Sequence, residues 1–177
     1  MSTCHSPYSP FARVATAVVC ALTIALQISV ARAQLKPGDA FPSLATANLA
    51  GGELPPSAGK ILVVDFWASW CAPCKASFPA LGKIAADYAA RDVVLVGISV
   101  DENPGAYAAF VKKQAPPFPA LHDARQILVR AVQVPAMPTT YLIDRQGRVR
   151  SIHAGYHGDA SAKELRAAID ALLLEKI

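Results

Sequence analysis

Two thiols three residues apart, Cys71 and Cys74 in Trp70-Cys71-Ala72-Pro73-Cys74-Lys75, are the side chains of this sequence best suited to chemistry. An apolar run ends at Trp67 and a helical pattern begins after Cys71, so the pair falls where a strand gives way to a helix. Cys71 then sits at the helix N-terminus, where unpaired backbone N–H groups and the positive end of the dipole lower a thiol pKa. Cys74 sits one turn inside, beneath the first thiol and less accessible. Pro73 suits a first turn, where a missing N–H is no loss. These positions assign roles in thiol–disulfide exchange. Cys71 attacks a partner's disulfide and Cys74 resolves the mixed disulfide, so the partner leaves reduced and a Cys71–Cys74 bond remains. The flanking Trp70, Ala72 and Pro73 are expected to touch that partner.

Other readings of the pair are weaker. Structural zinc wants four ligands, and His122, His153 and His157 lie far along the chain without ligand spacing, so no metal site is expected. Each histidine reads as a surface or packing residue. A purely structural disulfide over so short a loop gains little from closure.

Two further places carry chemical information. Asp65 puts a carboxylate on an otherwise apolar strand, with the parity of Ile61, Val63 and Trp67 and six residues before Cys71. Burial raises a carboxyl pKa, which makes Asp65 a candidate proton acceptor for the Cys74 thiol. The plain alternative is an aspartate that reaches water through a neighbouring gap. In Met137-Pro138-Thr139-Thr140 a proline opens an apolar strand, which places it at a strand start or tight turn. A cis Met137–Pro138 bond would present the Met137 backbone to an extended partner, so Met137 and Pro138 join the expected partner-binding residues. The residues alone do not separate cis from trans.

The elements that must position these groups follow from the apolar pattern. Ile61 to Trp67 and Val93 to Val100 read as strands covered on both faces. Between them a helix is expected from Cys71 to about Ala90, with Leu81, Ile84, Ala85 and Tyr88 on one face and a kink at Pro79. Such a βαβ unit pairs its strands in parallel. Leu44 to Leu54 reads as a short strand pair broken at Gly51-Gly52. Helical patterns recur at about Gly105 to Gln114 and Ala124 to Val132. Thr139 to Asp144 and Arg148 to His153 flank a hairpin signal, and Asp159 to Glu175 is a closing amphipathic helix. The order implies an α/β domain, a mixed central sheet flanked by helices.

The chain has 177 residues, of which 53% are hydrophobic, too apolar a composition for disorder. Its first residues are polar with a positive charge at Arg13, followed by an apolar stretch from Val14 to Val30 and by Ala31-Arg32-Ala33. That is the pattern of a secretory signal peptide, residues 1–33, cleaved after Ala33 to leave a domain of residues 34–177. An uncleaved anchor is the alternative; the run is short and interrupted for a membrane span. Removing the segment takes Cys4 and Cys20 with it, leaving Cys71 and Cys74 as the cysteines of an exported chain. Lys and Arg number 17 against 13 acidic residues, and Arg13 and Arg32 leave with the signal, so no basic stripe remains to track nucleic acid. No glycine-rich phosphate loop follows a strand, and no cofactor is expected.

Val64-Asp-Phe-Trp-Ala-Ser-Trp-Cys-Ala-Pro-Cys-Lys75, Pro79, Met137-Pro-Thr-Thr-Tyr-Leu-Ile-Asp144 and Gly147 together resemble the thioredoxin superfamily. Within it, the chain is similar to the TlpA/ResA-like exported thiol–disulfide oxidoreductases from about Pro37 to Leu174. The resemblance implies a thioredoxin fold and makes Pro138 a cis-proline facing the cysteines. It aligns Asp65 with the buried carboxylate of thioredoxins proper. It also implies a family-type insertion, an extra helix and strand between about Asp101 and Val132. By the same resemblance the work is periplasmic or otherwise extracytoplasmic reduction of disulfide-bearing client proteins, as in cytochrome c or copper-site maturation. Electrons would come from a transmembrane thiol-reductant donor. Ala72-Pro73 lacks the histidine of strongly oxidising relatives, which favours reductase over oxidase or isomerase. A peroxidase of the peroxiredoxin kind needs a threonine where Ala68 stands. A copper-binding chaperone using the cysteines and a histidine is the alternative of another class.

Overall fold

Seven residues with a single charge among them, Ile61–Trp67, form the central strand β1. Strand β2 (Val93–Ser99) pairs with it in parallel, as a crossover through an intervening helix requires, and β3 (Ala120–His122) extends that side in parallel. On the other side β4 (Thr139–Ile143) runs antiparallel to β1, and β5 (Val149–Ala154) antiparallel to β4. The sheet order is β3-β2-β1-β4-β5, a mixed sheet as the sequence implies. The computed structural model describes residues 33–175. The segment through Arg32, on which the signal-peptide expectation rests, lies outside them.

Among the described residues four helices surround the sheet: α1 (Ala72–Tyr88), α2 (Pro104–Gln114), α3 (Ile127–Val132) and α4 (Asp159–Leu174). Helix α1 continues through Pro79 and buries Cys74, Ser77, Leu81, Ile84 and Tyr88 along one face. Helix α4 buries Leu165, Ile169 and Leu172 at helical spacing and packs beside α1 over β4 and β5. Alternation along β1 sends Asp65 and Trp67 to one face and Phe66 to the other. Trp67 meets Phe78 of α1 and Phe110 of α2, with ring centroids 5.3 and 4.9 Å away. Phe66 meets Tyr141, which in turn meets Phe41 of the N-terminal lead-in. The two faces thus have different covers, and Asp65 lies under the helices.

Two sequence expectations are corrected. Leu44 to Leu54 is not a strand pair. It holds a 3-10 turn at Leu44–Thr46 and one isolated bridge, Ala50 to His122. Leu44 and Ala47 bury at the spacing of a single helical turn, which a strand's alternation would have split between two faces. Helix α3 starts at Ile127 rather than Ala124, because the Asp123 carboxylate accepts from the amides of Ile127 and Val129 at 2.9 and 2.8 Å. The chain curls around that carboxylate before the helix can begin.

Candidate active site

The cysteines lie where the strand-to-helix reading puts them. Cys71 is the N-cap of α1, with extended backbone at φ −84° and ψ 105°, and its Sγ accepts from the Cys74 amide at 3.2 Å. The two sulfurs are joined in a disulfide with the Cα atoms 5.3 Å apart. Cys71 keeps a little exposure (4%) and Cys74 has none, so an incoming partner meets Cys71 first. Beside them Trp70 is 69% exposed, an unusual place for an indole, and Ala72 and Pro73 are exposed as well.

The Met137–Pro138 peptide bond is cis. The carbonyls on either side of Met137 are engaged within the fold: that of Pro138 accepts from the Gly155 amide at 2.7 Å, and that of Ala136 from the Thr139 hydroxyl at 2.8 Å. Met137 and Trp70 line one open groove with Val100, Glu102, Asn103 and Val129. Residues predicted from two distant segments as partner-binding are thereby brought together.

Asp65 is fully buried and faces α1. Its Oδ1 accepts from the Thr140 hydroxyl at 2.7 Å, while Oδ2 has no hydrogen-bond partner in the protein. Burial pushes its carboxyl up to about 7, against a smaller lowering by Thr140. Asp65 and Ser77 line the same small cavity, and Ser77 follows Cys74 by one turn on the same face of α1.

One polar cluster escapes the sequence reading. The buried Asp101 carboxylate accepts from the Ser69 amide at 3.0 Å, the Ser69 hydroxyl at 2.8 Å and the Ser99 hydroxyl at 2.7 Å. It ties the loop before Cys71 to the end of β2. An acid just past a buried parallel strand, at the carboxyl end where such sheets place their sites, was the available signal. His122 is buried, stacks on Tyr107 and bonds through Nε2 to the Asp101 carbonyl at 2.7 Å, a packing role as expected.

A disulfide pair capping a helix, with a cis X–Pro bond opening the strand next to the central one on a sheet of this order, defines a thioredoxin-fold protein acting on thiols and disulfides. Residues 37–152 match the AhpC/TSA family, and the chain belongs to it. It is 29% identical over 142 residues to the thiol–disulfide oxidoreductase ResA of Bacillus subtilis, spanning 78% of this chain and 79% of that protein. It is 31% identical over 140 residues to the thioredoxin-like protein YneN of the same organism, spanning 77% and 80%. A crystal structure of a protein assigned as the thiol:disulfide interchange protein DsbE of Chlorobium tepidum superposes with a TM-score of 0.71. Its identity is 32%, over 79% of this chain and 99% of that one. The chain is a thiol–disulfide oxidoreductase of the ResA/DsbE type.

Proposed function

We propose that this chain is exported through its N-terminal segment and reduces disulfides of client proteins outside the cytoplasm. In its working state both cysteines are reduced. The Cys71 thiolate attacks a client disulfide, forming a Cys71–client bond and releasing one client sulfur, which takes up a proton. Asp65 accepts the proton of the Cys74 thiol. The Cys74 thiolate then attacks Cys71 Sγ, and the electron pair of the breaking bond leaves on the second client sulfur, which takes up a proton from solvent as the first did. The client gains two electrons and two protons, and the enzyme is left with the Cys71–Cys74 disulfide. A transmembrane thiol donor would reduce it again. Clients in cytochrome c or copper-site maturation are those the family resemblance suggests.

The observation that carries this reading is the stacking of roles along one axis. A barely exposed sulfur caps α1, a buried sulfur lies one turn behind it, and a carboxyl held near neutrality lies beneath that helix face. Trp70, Ala72 and Pro73, with the free backbone edge of Met137, would hold the client's cysteine segment against Cys71. The reducing direction rests on Ala72-Pro73, which offers no side-chain donor to over-stabilise a Cys71 thiolate. Reduction of insulin by the dithiothreitol-reduced chain tests the scheme. C71S is expected to abolish turnover, and C74S to accumulate a covalent Cys71–client adduct that reductant releases. Turnover surviving in C71S, or an adduct that forms through Cys74 instead, contradicts it.

A further inference from the structure

A base sealed inside a sheet must release, before the next turnover, every proton it takes. Asp65 sits on the central strand with 1% exposure, so its proton needs a defined way out. Strand register supplies the first observation. Asp65 of β1 stands opposite Thr140 of β4, and Thr140 opposite His153 of β5. Side chains opposite one another across a sheet share a face. The three therefore form a row from the centre of the sheet to its edge strand, under α1 and α4.

The cavity is the second observation. Asp65, Ser77 and Thr140 form its buried wall, and His153, Tyr156 and Ser161, each half-buried, form its outer wall. Its volume of about 20 Å³ has room for one water molecule. Of the two carboxylate oxygens, Oδ1 is held by Thr140 and Oδ2 is the one without a protein partner. The lining thus offers a single water several polar neighbours, with an unpartnered acceptor at the inner end and an imidazole at the outer.

We propose that this cavity and His153 form the proton route between Asp65 and solvent, with His153 as the relay at its outer end. The proposal rests on the reading of Asp65 as the base for Cys74. Before Asp65 can accept from Cys74, its neutral carboxyl gives its proton to the cavity water, which passes one to the imidazole, and the imidazolium loses it to bulk solvent; the proton taken from Cys74 leaves by the same route. No charge accumulates and no co-reactant is needed. The surroundings of the relay suit it. Burial lowers the His153 pKa, opposed by Glu164 of α4, which keeps the ring neutral and able to accept. Its Nε2 is paired with the Ser151 hydroxyl at 2.9 Å, which fixes the ring, and Tyr156 is the other titratable neighbour in the cavity wall. The charged groups that shift His153 and Asp65 reduce to that glutamate, since only burial and Thr140 act on Asp65.

The test is the rate of resolution of a preformed Cys71–client mixed disulfide in a single turnover, from pH 5.5 to 9. It compares the native chain, H153Q, D65N and the double variant, each with and without added imidazole. H153Q is expected to slow resolution about tenfold near pH 7, with imidazole restoring most of the rate. The redox potential should not move, because a relay changes rates and not equilibria. In the D65N background H153Q should add nothing. Resolution by H153Q at the native rate overturns the route, as does a failure of imidazole to restore it. An equal slowing by H153Q in native and D65N backgrounds also overturns it, because His153 would then act elsewhere. An unchanged rate in D65N alone removes the base itself, and with it the route.

Discussion

Asp65 is a carboxyl whose proton is held by burial, and the same burial makes stability depend on pH. Its folded pKa lies at about 7 against an unfolded value of 3.8, so between those values the folded chain binds a proton that the unfolded chain has lost. Stability is therefore fully present below about pH 4 and falls as pH rises through about 7. The full span amounts to on the order of 4 kcal/mol. D65N removes the titration while leaving Thr140 an oxygen to donate to. Urea unfolding at pH 4 and pH 8 should show D65N gaining on the native chain by a few kcal/mol at the higher pH only. A constant difference between the two would mean that Asp65 is not buried as described. Kinetics should show the opposite sign: native resolution accelerates as pH rises through about 7, and D65N loses that inflection. The same substitution is thus expected to stabilise the fold and impair the enzyme.

At the scale of elements, the positions of the site residues depend on how closely the sheet meets its helical cover. Gly97 of β2 stands beside Asp65 in the register. A Cβ there would lie 2.8 Å from the Phe118 ring and 3.0 Å from Trp67 Nε1. Both rings are packed and cannot give way cheaply, so G97A should cost about 1–3 kcal/mol in denaturant unfolding. An unchanged midpoint would show that the aromatic layer can shift. Much of this level was legible beforehand. The apolar runs of β1 and β2 declare doubly covered strands, Asp144-Arg145-Gln146-Gly147 declares the hairpin, and Cys71 and Cys74 declare the start of α1. What was not legible depends on which side chains cap the backbone, which residues are buried together, and, for Asp101, on a partner distant in sequence. The capping of α3 by Asp123 shortens a helical pattern that looks longer. Leu44 and Ala47 read as alternating strand until their common burial shows a single turn. The grip of Asp101 on Ser69 joins residues 32 positions apart, and nothing in either neighbourhood announces the other. His153, read as a packing residue, gains its candidate role only from the cavity it borders.

The whole molecule is held by its core rather than by its surface charges. Arg166–Asp87 at 2.6 Å links α4 to α1, and Arg91–Asp170 at 3.3 Å links the turn after α1 to α4. Both are substantially exposed, and such pairs contribute about 0–1 kcal/mol each, so salt should shift the unfolding midpoint little. The molecule therefore presents its chemistry at one end of a rigid sheet, with the groove of Trp70 and Met137 open to clients. The proposed reducing direction rests on the free energy stored in the reduced cysteine pair, and that quantity is directly measurable. The chain should be titrated against a thiol–disulfide redox buffer, with the fluorescence of Trp67 and Trp70 reporting the state of the cysteines. A reducing role requires a potential near that of thioredoxin, roughly −270 mV, low enough to reduce client disulfides once a donor supplies electrons. A potential near the strongly oxidising end, about −120 mV, would contradict it and make the same cysteines a source of disulfides.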